Sequence, residues 1–98
     1  MTDQPDVARE DQGGPRGRYV IALGNGVEAE LTYQRRDDGA LVADHTYVPT
    51  SHRGQGLAEK LVDRLIADAR AGGYRIAPLC SYVVAQFRRH PEWADLHA

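Results

Sequence analysis

The sequence predicts an α+β domain on a mixed sheet: an antiparallel three-strand meander, then a βαβ unit, then a C-terminal helix. Three observations carry this. Val27 to Gln34 alternates, with Ala29, Leu31 and Tyr33 on one face and Glu28, Glu30, Thr32 and Gln34 on the other, the period of a half-exposed antiparallel strand. From Gly56 the period becomes helical, and Leu57, Ala58, Leu61, Val62, Leu65, Ile66 and Ala69 share one face against Glu59, Lys60, Asp63, Arg64 and Asp68. Strand residues on both sides of that helix imply a right-handed crossover, with the strand ending near Val48 parallel to the strand ending near Leu79.

Taken in order, Met1 to Gly17 carries Pro5, Pro15, three glycines and alternating charges with few apolar residues. It offers too little to offset the entropy of ordering, so it is expected to be a disordered tail before a domain spanning 18–98. Arg18 to Leu23 is the first expected strand, and Gly24-Asn25-Gly26 tolerates the positive φ of a tight hairpin. After the alternating strand and the turn Arg35 to Gly39, a third strand runs from Ala40 to Val48 and is stopped by Pro49. Gly72-Gly73 ends the helix, Tyr74 to Leu79 forms a short strand, and Ser81 to His90 is helical before Pro91.

Ninety-eight residues make one domain, and fourteen acidic against twelve basic side chains leave a formal charge of −2. That balance speaks against nucleic-acid or membrane-surface binding. The single cysteine, Cys80, cannot close an intrachain disulfide, and no cysteine-rich zinc site or other metal site is expected. Lacking an apolar leader or membrane span, the chain is expected to be cytoplasmic, as a monomer or weak dimer.

Chemistry concentrates where the βαβ unit brings two strand ends and a helix start to one sheet edge. There the loop reads Pro49-Thr50-Ser51-His52-Arg53-Gly54-Gln55-Gly56-Leu57-Ala58, with no carboxylate between Asp44 and Glu59. Helix starts attract negative charge, so an acid-free start preceded by Arg53 suits a foreign anion such as phosphate or pyrophosphate. On its glycines alone the segment also reads as a plain strand-to-helix connection. The P-loop and dinucleotide patterns do not fit, because Leu57 and Ala58 replace Lys-Ser/Thr and no third spaced glycine follows.

Arg53-Gly54-Gln55-Gly56-Leu57-Ala58 resembles the acetyl-coenzyme A loop, Arg/Gln-x-x-Gly-x-Gly/Ala, of the GNAT-type N-acetyltransferases. The resemblance extends to their small single-domain YjdJ-like subgroup through His45-Thr46-x-Val48, Pro78-Leu79-Cys80-Ser81-Tyr82-Val83 and Arg89-His90-Pro91-Glu92, over about Arg18 to Leu96. It implies a minimal acyl-CoA N-acyltransferase fold whose parallel strands splay around the pantetheine arm. It also implies that Tyr47 and Val48 pair with the pantetheine amides, and that the N–H groups of Arg53, Gly54, Gln55, Gly56, Leu57 and Ala58 bind the pyrophosphate. The implied co-substrate is acetyl-CoA and the implied partner an amine. In larger members helices between the first two strands build the acceptor side; Gly24-Asn25-Gly26 leaves no room for them, which suits a protein-borne or otherwise extended amine.

Acetyl transfer needs a neutral amine, a stabilised oxyanion and a proton for the leaving thiolate. Cys80, following the second parallel strand, is a candidate acetyl acceptor or proton donor, against the plain reading of a small apolar filler. Tyr82 is a candidate general acid, although it falls earlier than the tyrosine of larger members. His45 is read on one strand face with Leu41, Ala43 and Tyr47, where imidazole suits a general base; Asp44 and Thr46 are read on the other face. His52 and the cluster Arg88-Arg89-His90 read as solvated groups, and Trp93 as packing the C-terminal segment onto the sheet. The alternative function is a non-catalytic acyl-CoA binding or sensing module.

Overall fold

The computed structural model describes residues 7–11 and 13–98. Its core is a five-stranded sheet in the order β1-β2-β3-β4-β5, formed by Ala8–Asp11, Arg16–Gly24, Val27–Arg35, Leu41–Tyr47 and Ile76–Pro78. The first four strands are antiparallel in sequence order, and β5 joins β4 in parallel through the crossover helix α1, Leu57–Gly72. A second helix, α2 (Ser81–Arg89), and a 3₁₀ helix (Pro91–Leu96) complete the chain. This is the expected α+β meander followed by βαβ.

The alternation in β3 places Ala29, Leu31 and Tyr33 in the core, as its period requires. They are joined there by Tyr19 and Ile21 of β2 and by Leu41 and Ala43 of β4. Against that face α1 lays Leu57, Leu61, Val62, Leu65, Ile66 and Ala69, while α2 adds Val83 and the 3₁₀ helix adds Trp93 and Leu96. Of the seven residues expected on the inner face of α1, Ala58 stays half-buried and faces a cleft instead. Gly73, in the left-handed region at φ +70°, ends the helix as expected.

The expected tail needs correction where the structure describes it. Residues 1–6 and 12 lie outside the described residues, but Ala8–Asp11 is a strand paired with β2, which itself begins at Arg16. What orders this polar segment is side-chain anchoring. Arg9 lies over the rings of Tyr19 and Tyr33, donates from Nε to the Tyr33 hydroxyl at 2.9 Å, and approaches Asp68 at 3.5 Å. Arg64 of α1 donates to the carbonyl oxygen of Val7 at 2.6 Å.

The second correction lies in β4. Thr32 pairs with His45 but Tyr33 pairs with Ala43, so Asp44 is an extra residue, a β-bulge. Its carboxylate accepts a hydrogen bond from the Thr32 hydroxyl. Since side chains alternate, one inserted residue exchanges the faces of everything beyond it. His45 therefore leaves the face of Leu41 and Ala43 and is exposed, while Thr46 lies opposite buried Leu31 on the core side.

Candidate active site

The β4–β5 pairing ends at Ala43 and Pro78. The Ala43 carbonyl accepts from the N–H groups of both Leu79 and Cys80 at 3.0 Å, which turns the chain out of β5 and into α2. Beyond that point β4 continues to Tyr47 with no neighbour on this edge among the described residues. A cleft of about 380 Å³ opens there, walled by the end of β4, the connecting loop, the first turn of α1 and Tyr82 of α2.

The loop closes through its backbone. Pro49 is buried, Thr50–His52 makes one 3₁₀ turn, and Arg53 donates from Nε to the Val48 carbonyl at 3.2 Å. Gly54 and Gly56 sit at φ +82° and +73°, a region L side chains rarely adopt, and this fixes glycine at both positions. Nothing lies within 4 Å of where a Cβ would stand on either, so the space before the loop is open. Gly56 is the N-cap of α1, and no side chain caps the helix. Its first-turn N–H groups are left to an outside acceptor. The helix begins at Leu57, however, which puts Glu59 in its first turn and on the cleft wall. The expected acid-free start is thereby corrected: one carboxylate shares the dipole's attraction.

Of the expected cofactor residues, Tyr47, Val48, Arg53, Gly54, Gly56, Leu57 and Ala58 line this cleft; Gln55 is exposed and does not. Tyr82 lines it too. Burial first, then the negative charge of Glu59, pushes the Tyr82 phenol above its ordinary range, which holds it protonated. Cys80 is the N-cap of α2, half-buried and packed against the core, with its Sγ 3.3 Å from Thr46 Oγ1. Thr46, not Cys80, is the cleft-lining member of that pair. His45 is not brought to the cleft.

Sequence reasoning also missed Glu59, and it gave too little to His52, which lines the cleft with its Nδ1 2.8 Å from the Ser51 hydroxyl. Only the bulge register, visible in three dimensions, would have located Thr46. Tyr47 at 47% and Leu79 at 68% are the large apolar side chains left exposed among the described residues, and both sit at this edge. Of the two, Tyr47 lines the cleft.

Elsewhere, the Arg88-Arg89 cluster lies in the last turn of α2, and His90 stacks on Trp93 at 4.0 Å. Trp93 is buried, as its packing role requires. No helix of the described residues is long and apolar enough to cross a membrane. Among them no three His, Cys, Asp or Glu side chains are grouped as a metal ion would need.

A family model described as GCN5-related N-acetyl-transferase matches residues 18–96, nearly all of the described fold and the whole of the cleft. With its meander, parallel β4–β5 pair and glycine loop opening the crossover helix, the chain belongs to the GCN5-related N-acetyltransferase family.

Proposed function

We propose that the protein is an acetyl-CoA-dependent N-acetyltransferase, moving an acetyl group from coenzyme A to an amine. The observation that carries this reading is the cleft where β4 and β5 part, which among the described residues joins a strand edge without a neighbour to a helix start without a side-chain cap. Pantetheine amides extend the sheet along Tyr47 and Val48 as an added strand would. The pyrophosphate rests on the N–H groups of the loop from Arg53 to Ala58, where the two left-handed glycines let it approach the backbone.

In the reaction the thioester C–S bond breaks and a C–N bond forms, the amine loses a proton and the coenzyme A sulfur gains one. Tyr82, whose hydroxyl carries a proton in the cleft, is a candidate to supply it to the sulfur. Cys80 is suited to the same task, or to taking the acetyl group first. His45, on the outer face, serves as base for an amine that approaches from that side of the sheet.

The test is incubation with acetyl-CoA and a panel of amines, followed by intact mass measurement and peptide mapping. We expect transfer to at least one amine, and we expect Cys80→Ala to slow it about tenfold with coenzyme A affinity within about twofold of wild type. A labile acetyl on Cys80 assigns the covalent route, and transfer without that adduct assigns direct attack. Coenzyme A binding without turnover on any amine would replace the enzyme by a non-catalytic acyl-CoA binding module. Failure to bind coenzyme A at millimolar concentration would remove both.

A further inference from the structure

Thr46 joins the cleft to Cys80. Its side chain lines the cleft, and its hydroxyl lies 3.3 Å from the sulfur of Cys80, which is 34 positions away in the chain and does not line the cleft itself. The contact depends on the bulge. Were β4 regular, Thr46 would share a face with Val42 and point away from the core, whereas the extra Asp44 rotates it opposite buried Leu31 and onto Cys80. Asp44 is itself held, by the Thr32 hydroxyl. Cys80 is fixed from the other side, through its N–H bond to Ala43 and its place at the start of α2. A strand irregularity and a helix start thus converge on one oxygen–sulfur pair.

We infer that Thr46 is the positioning residue of the transfer site, with its hydroxyl coupling Cys80 to the cleft; this rests on the acetyltransferase reading above. The hydroxyl fixes the sulfur's direction and donates to it whenever it carries negative charge, the state in which such a bond is strongest. In the direct route the coenzyme A sulfur takes the Thr46 hydroxyl proton as the thioester C–S bond breaks, and the Thr46 oxygen takes the Sγ proton in turn. The electron pair left on Cys80 accepts from Thr46, and the sulfur is reprotonated from the nitrogen that has become the amide. In the covalent route the acetyl carbon exchanges coenzyme A sulfur for Cys80 sulfur, and the Cys80 proton leaves with coenzyme A. The amine then takes the acetyl group and returns a proton to Cys80. Both routes pass a charged sulfur beside Thr46 Oγ1.

Two variants and two readouts test this. Thr46→Val keeps the branched shape and deletes the hydroxyl; Thr46→Ser keeps the hydroxyl. In the protein without coenzyme A, iodoacetamide should alkylate Cys80 about tenfold more slowly in Thr46→Val and within about twofold of wild type in Thr46→Ser. In turnover, kcat should fall about tenfold in Thr46→Val with KM for acetyl-CoA nearly unchanged, and Thr46→Ser should restore it. Equal alkylation rates in wild type and Thr46→Val overturn the inference whatever the turnover shows. A hydroxyl-dependent alkylation rate in a protein that acetylates no amine upholds the Thr46–Cys80 coupling and overturns the role in transfer. Should Thr46→Val fail to fold, Thr46→Ala against Thr46→Ser makes the same comparison.

Discussion

Asp68 is the residue on which three elements close. Its carboxylate accepts from the Tyr19 hydroxyl of β2 at 2.7 Å and from Arg64 Nε at 3.1 Å, and lies 3.5 Å from Arg9 of β1. Burial alone would push its carboxyl up, but the bonds from Tyr19 and Arg64 and the charges of Arg64 and Arg9 outweigh it and hold the group below the ordinary carboxylate range. A carboxyl depressed by folding adds stability above its unfolded value, near about 4, and loses it as pH falls through the folded value. Asp68→Asn should therefore cost about 1 kcal/mol near neutral pH, a figure kept low because the site is partly solvated. Urea titrations from about pH 7 down to about pH 2 should show the gap from wild type closing as acid protonates the native carboxyl. A gap of constant size would assign the effect to packing. In the sequence Asp68 reads as a solvated position on the polar face of its helix, and its helical placement is right. Only Arg64, four positions away on the same helix, is a partner that a local pattern shows; Tyr19 and Arg9 are 49 and 59 positions away and leave no local trace. His45 and Thr46 escaped for a related reason: a single-residue bulge leaves hydrophobic alternation almost unchanged and reverses which side chains meet.

The loop between β4 and α1 was legible in the sequence because its constraint is local. Gly54 and Gly56 stand at left-handed φ, and a Cβ at either is strained whatever the space around it. Gly54→Ala should cost about 1 kcal/mol in stability; on the acetyltransferase reading it should also weaken coenzyme A about tenfold in a calorimetric titration, since a side chain there shifts the N–H groups proposed to hold the pyrophosphate. Gln55→Ala, between the two glycines but outside the cleft, should leave affinity within about twofold. Equal losses at 54 and 55 would mean that the loop binds through side chains and not through its backbone shape. The central elements, β2 to β4 and α1, lie within a residue or two of their sequence positions, because periodicity and turn residues report on burial. β1 was missed because its order comes from Arg9 and from the open edge of β2, not from apolar residues of its own. β5 shrank to Ile76–Pro78 because Tyr74 donates its N–H to Ala69 in closing the end of α1, and Leu79 and Cys80 donate theirs to Ala43 in turning towards α2.

At the scale of the whole molecule, the helices gather on one face of the sheet and the opposite face remains polar. Arg18 there is held by Glu10, Glu28 and Glu30 at 2.9 to 3.0 Å, with the carboxylates partly in solvent. Connections between the antiparallel strands are short: β2 passes to β3 through Asn25 and Gly26, and β3 to β4 through Arg36 to Ala40. The first of these turns lies at the end of the sheet that Tyr47 reaches, and it carries no helix that would roof an acceptor near His45 and Tyr47, both of which are exposed. A small free amine arriving at such a surface finds few groups to orient it, whereas an amine on a longer chain can spread contacts over the sheet and apply remote binding energy to the reacting centre. On the acetyltransferase reading, kcat/KM for lysine within a peptide of about ten residues should exceed that for lysine amide by at least about tenfold. The gain should shrink when the peptide is shortened step by step to the single residue, as steady-state rates across such a length series would show. Equal values along the series would place acceptor recognition in the immediate surroundings of the amine, and the short strand connections would then have no bearing on which acceptor the enzyme takes.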